Sequence, residues 1–110
     1  FIGAPPMNVL PAEGEAGRQF LALSSMHPKD VSYIGVRPEL LVVGDAGVEA
    51  NVTLVEPLGA ETLVHLEIGG DKLIMRSGHD HSFEAGTRIA VTTVQGNIRF
   101  FDKGGRRVVP

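Results

Sequence analysis

From Val48 to Leu54, apolar and polar residues alternate: Val48, Ala50, Val52 and Leu54 against Glu49, Asn51 and Thr53. That period of two predicts a half-buried strand with the four apolar side chains turned inward. Glu56-Pro57-Leu58-Gly59 breaks it. Thr62, Val64, Leu66 and Ile68 then alternate with Glu61, Leu63, His65 and Glu67. Gly69-Gly70-Asp71 is a tight-turn signal into Lys72–Arg76, so this pair reads as a hairpin. Arg18–Leu23 and Val31–Arg37 read as further strands, the second stopped by Pro38. Leu40–Val43 is a short apolar run closed by Gly44-Asp45 and Gly47. Thr87–Val94 is β-branched and strand-like. Ile98–Phe101 and Arg106–Val109 follow, each behind a turn. Pro5, Pro6 and Pro11 bracket Met7–Leu10, which reads as an edge or a linker rather than a central strand, because proline cannot donate to a ladder. No window of helical length carries a 3.6-residue apolar repeat. Roughly seven to nine short strands at near-regular spacing predict an all-β domain, a small barrel or sandwich.

Composition narrows what such a domain does. At 110 residues, 43% hydrophobic and 21% charged, the chain has the make-up of one folded domain, 1–110. Gly 14 and Pro 7 fit many turns. Net charge is −3, with no Trp and one Tyr. This argues against nucleic acid as a partner, which calls for a basic footprint and stacking aromatics. The absence of Cys excludes disulfides, zinc–thiolate sites and Cys nucleophiles. No apolar run is long enough for a spanning helix. The first residue is Phe1 rather than Met, so the chain reads as a piece of a longer protein or a processed product.

Sites for chemistry are few. His79-Asp80-His81 has two imidazoles at i and i+2, which share a face of a strand and suit a metal. A solvated polar loop is the plainer reading. His65 reads as a surface histidine and His27 as loop. Gly69-Gly70-Asp71-Lys72 and Gly104-Gly105-Arg106-Arg107 place a basic residue after glycines. Neither has the G-x-x-x-x-G-K-[ST] spacing or the helix of a phosphate loop, and both read as turns. Ser24, Ser25, Ser32, Ser77 and Ser82 lie in no nucleophile motif. No catalytic residue, cofactor site or metal site is assigned. What remains is polar residues at strand ends: Arg37-Pro38-Glu39, and the Leu58–Thr62 link. They read either as turns with a surface ion pair or as a contact surface.

Four segments resemble a known family. Phe1-Ile2-Gly3-Ala4-Pro5-Pro6-Met7-Asn8 resembles the F-I-G-x-P-x-M-N that follows the nucleotide-binding domain in ATPase subunits of sugar-type ABC importers. Gly35-Val36-Arg37-Pro38-Glu39 resembles that family's G-[IV]-R-P-E. Val55–Thr62 resembles its V-E-x-L-G-x-E-T. Ile98-Arg99-Phe100-Phe101-Asp102 with Gly105-Arg106-Arg107 resembles its closing H-L-F-D…G-x-R-[IV]. The four occur in order across nearly the whole chain.

The resemblance implies a C-terminal regulatory domain of the transport-associated OB (TOBE, MOP-like) kind, in carbohydrate or glycerol-3-phosphate uptake. It implies a small OB-like barrel of short antiparallel strands. It also implies pairing with a second copy of the subunit, contact with its own ATPase domain, and regulatory proteins as further partners. ATP and Mg would belong to that ATPase domain, and this chain, lacking the Walker and signature motifs, would not hydrolyse ATP. The location implied is peripheral, at the cytoplasmic face of the bacterial inner membrane, held through the permease subunits. Arg37, Pro38, Glu39, Gly59, Glu61 and Thr62 are the expected regulatory or interface residues. Gly59 is expected to hold a positive φ, and Glu61 and Arg37 to make charge-assisted contacts within the domain or across a dimer. A second expectation, from related barrels, is a small oxyanion module of the molybdate kind. It would draw on Lys29, Lys72 or Lys103.

Overall fold

A computed structural model describes residues 6–24, 28–78, 82–94 and 97–109. Among the described residues the chain forms eight strands, one helix and a 3₁₀ turn. In order these are β1 (Asn8–Pro11), α1 (Glu15–Leu23), β2 (Tyr33–Val36), the 3₁₀ turn Pro38–Leu40, β3 (Leu41–Pro57), β4 (Glu61–Ile68), β5 (Asp71–Gly78), β6 (Arg88–Thr93), β7 (Ile98–Phe101) and β8 (Arg107–Val108). They make two four-stranded antiparallel sheets, β1-β2-β7-β8 and β5-β4-β3-β6. The all-β, OB-like expectation holds. One apolar cluster joins Ile34, Val36 and Phe100 of the first sheet to Val52, Val64, Leu66, Met75 and Val91 of the second, with Phe20 of α1 at 0% exposure beside them.

Several expectations are met in detail. β1, with Pro11 at its end, is an edge strand. β4 and β5 pair in register from Glu61↔Gly78 to Ile68↔Asp71 around the Gly69-Gly70 turn, where Gly69 has φ +61°. The Asp102–Gly105 turn is closed by the Asp102 carboxylate, which accepts from the amides of Gly104 and Arg106 at 2.9 Å each.

Three expectations are corrected. Arg18–Leu23 is not a strand but the body of α1. Its buried residues are Ala16, Gly17 and Phe20, a narrow stripe at helical spacing. Two of the three are too small to register as an apolar repeat. The cap of α1 is also remote. Gly14 at the N-cap offers no side chain, and the amide of Ala16 donates instead to Asp71 Oδ2, 3.2 Å away on β5. Gly17 then lets the helix lie on β1, since a Cβ there would run into the Pro11 carbonyl.

The second correction concerns Gly44–Gly47, which does not end a short strand. β3 runs through it for 17 residues, with a register shift in which Val43 and Val48 both oppose Val91. Gly47 sits so close to the Val91 backbone that no side chain fits. Bulges of this kind bend a strand without ending it. The third is Leu54, expected inward. A second register shift between Val52 and Leu54 turns Leu54 out, at 49% exposure, and brings Val55 opposite the buried Val64.

Candidate functional site

The two expected interface segments meet the same strand. The 3₁₀ turn carries Pro38 and Glu39 and packs against β5. On the other side of β5, Glu61 and Thr62 open β4 and pair with Gly78 and Ser77. Pro38 is buried and fixes the start of the turn, while Arg37 and Glu39 are exposed on either side of it. Among the described residues, neither of those two side chains has a hydrogen bond or ion pair.

Gly59 lies at the β3–β4 turn with φ +89°, as expected, and a Cβ there would meet nothing within 4 Å. Its role is conformational, because left-handed backbone favours glycine. The turn is closed by the Leu58 amide on the Glu61 carbonyl, 2.8 Å. Glu61 does not pair with Arg37. Its carboxylate accepts from Arg76 Nε at 2.5 Å, because Arg76 stands on β5 beside it. Thr62 is half-buried.

Two residues that motif reasoning left without a role organise this region. Asn8 stands on β1, yet its amide spans to the free edge of β5. Nδ2 donates to Val36 O (3.0 Å) and Ile74 O (2.9 Å), and Oδ1 accepts from the Ile74 amide (2.8 Å). One side chain thereby satisfies both backbone groups of Ile74, as a strand neighbour would. The signal in the sequence was an asparagine inside a strand, where asparagine is depleted. Asp71, the remote cap of α1, gave no such signal.

The outer face of the second sheet holds a groove of about 580 Å³. Leu54, His65 and Ile74, in register across β3, β4 and β5, line it, with Met7, Asn8 and Lys72 around them. His65 is half-buried there, and its Nε2 contacts the Glu56 carboxylate. The lysines considered for an oxyanion stand in separate parts of the fold: Lys29 before β2, Lys72 on β5, Lys103 in the β7–β8 turn. Among the described residues no three His, Asp or Glu side chains are grouped to hold a metal. His79-Asp80-His81, His27 and Ser25 lie outside the described residues. Among the described residues, no helix is long and apolar enough to cross a membrane.

Comparison with known proteins agrees with this architecture. An sn-glycerol-3-phosphate import ATP-binding protein, UgpC, of Chromohalobacter salexigens is 35% identical over 98% of this chain and 33% of its own length. The UgpC of a Ruegeria species is 40% identical over 98% of this chain and 33% of its own. An uncharacterized ABC transporter ATP-binding protein of Sinorhizobium fredii is 32% identical over 93% of this chain. The chain spans about a third of the length of these curated relatives. The family model for the TOBE domain matches residues 34–101, from the middle of β2 to the end of β7. With both sheets represented in that match, the chain belongs to the TOBE domain family.

Proposed function

We propose that the chain is the non-catalytic regulatory and dimerisation domain of an ABC importer ATP-binding subunit, in carbohydrate or glycerol-3-phosphate uptake. The names of the UgpC relatives support glycerol-3-phosphate import, and the motif resemblance supports the carbohydrate class. The observation that carries the contact role is the convergence on β5. Arg37, Glu39 and Gly59 are exposed there, beside a strand fixed by Asn8, Glu61 and Arg76. A rigid support with unpaired charges at its rim suits a contact surface. On this reading ATP and Mg bind a part of the subunit outside this chain. Partners are a second copy, the subunit's own ATPase domain, the permease subunits and regulatory proteins. The subunit then sits peripherally at the cytoplasmic face of the bacterial inner membrane.

Pairing here would persist while the ATP sites open. Since the chain has no Cys, Leu58→Cys introduces a single reactive thiol beside Gly59. In an assembled importer that carries this domain, a crosslink between two copies through that thiol should leave ATP turnover intact. Abolished turnover in the crosslinked resting transporter overturns the reading. So does a subunit that sediments as a monomer at all concentrations.

A further inference from the structure

Charge is divided unevenly between the two sheets. The strands of the first sheet, β1, β2, β7 and β8, contain no Asp or Glu. Those of the second contain Asp45, Glu49, Glu56, Glu61, Glu67 and Asp71. Its arginines are spoken for, Arg76 by Glu61 and Arg88 by Glu49 at 3.9 Å. The arginines of the first sheet are not. Side chains alternate along a strand, so with Ile34, Val36 and Phe100 in the core, and Val108 paired opposite Phe100, the intervening residues face out. Arg99 opposes Gly35, and Arg107 opposes Phe101. Arg37 continues β2 in extended conformation (φ −74°, ψ 138°) and reaches the same face. None of the three has a side-chain hydrogen bond or ion pair among the described residues.

Between these guanidinium groups lies an apolar strip. Tyr33 and Phe101 are direct cross-strand neighbours, and Tyr33 is 38% exposed. Val9, opposite Gly35, is 57% exposed. Gly35 leaves the middle of the face low, with Met7 and Phe101 over it. Apolar surface on strands without carboxylates, flanked by arginines that are unpaired among the described residues, is the complement of a segment that mixes acidic and aliphatic residues.

We propose that the outer face of the first sheet docks a short acidic, aliphatic segment of a partner protein. The face shares Arg37 with the proposed pairing surface at β5, whereas Arg99 and Arg107 belong to it alone and carry the test. It favours a short ligand over a polyanion for an electrostatic reason. A short segment spans only this face, whose strands carry no carboxylate. A nucleic acid or an anionic membrane extends past the face and meets a domain of net charge −3.

The chain's one Tyr and lack of Trp make the test direct, because tyrosine fluorescence reports from Tyr33 on the face itself. The 110-residue chain is titrated with an octapeptide of alternating Glu and Leu, with its Gln/Leu counterpart, with oligo-dT and with phosphatidylserine vesicles. The Glu/Leu peptide should give a saturable change that weakens as salt rises. Arg99→Glu and the more exposed Arg107→Glu should each weaken it by roughly tenfold or more. Lys72→Glu on the second sheet should leave it unchanged. Circular dichroism verifies folding; Arg99→Gln or Arg107→Gln replaces a charge reversal on the face that fails it, and Lys72→Gln replaces the control. The proposal is overturned by no saturation, by equal binding of the Gln/Leu peptide, or by tighter binding of oligo-dT or vesicles. It is also overturned by self-association of the chain that the same substitutions abolish, which would assign the face to a second copy.

Discussion

Asn8 shows how much one side chain can decide in this fold. It does for β5 what a neighbouring strand would do, and it holds Val36 O as well. Asn8→Ala removes three hydrogen bonds and leaves part-buried backbone groups to find water. A loss of about 1–3 kcal/mol follows, read as a lower urea midpoint. Asn8→Asp should be no better, although it keeps an acceptor for the Ile74 amide. It presents a carboxylate to two carbonyl oxygens that have lost their donor. An Asn8→Asp chain as stable as the parent would show that the amide donors are not needed. Gly59 is a milder case. An added Cβ meets no neighbour but must adopt φ +89°, so Gly59→Ala should cost about 1–2 kcal/mol through backbone strain alone.

Among the elements, α1 depends most on residues far away in sequence. Its N-terminus is held by Asp71, across 55 positions, and Glu15 lies over Gly69 of the same hairpin. Asp71→Ala should cost about 1 kcal/mol, as the loss of a cap usually does. The effect should be local. Hydrogen exchange at Ala16 and its neighbours should quicken, while amides in the middle of β4 keep their protection relative to the global stability. Uniform acceleration across the domain would show that Asp71 supports the hairpin rather than the helix. Gly17→Ala should be worse than Asp71→Ala, because the obstacle is the Pro11 carbonyl rather than a movable side chain.

This remote dependence explains why the helix was illegible in the sequence. Its cap is not adjacent, and its inward face is largely Ala and Gly. β4, β5, β7 and the Gly69-Gly70 turn were legible because period-two alternation and turn chemistry are local signals. The long β3 was half legible. Its alternation from Val48 to Val52 is real, but the two register shifts depend on what Val91 and Val64 present from other strands. The interface segments were legible as motifs, whereas the partner of Glu61 was not. The choice of Arg76 over Arg37 is made by the β4–β5 register.

At the scale of the molecule, the question is whether two sheets with opposite charge character behave as one unit. The apolar cluster answers it. Ile34, Val36 and Phe100 from the first sheet and Leu66, Met75 and Val91 from the second belong to one continuous core, and Phe20 closes it. The first sheet is built of strands of four residues or fewer, and its inward residues are buried against the second sheet. Its stability must come from the shared core and from the Asn8 bridge to β5. The domain should therefore unfold in a single cooperative transition, with a stability in the usual range of about 5–15 kcal/mol. Two probes test this independently. Tyr33 fluorescence reports the first sheet, and far-ultraviolet circular dichroism is dominated by the longer strands of the second. Their urea transitions should superimpose, in the parent chain and in Arg107→Glu alike, since that exposed arginine touches no part of the core. A Tyr33 transition at lower urea than the dichroism would mean that the first sheet opens first. In urea between the two midpoints the arginine face would then be assembled only in part of the population, and the affinity of an acidic peptide would fall by that fraction.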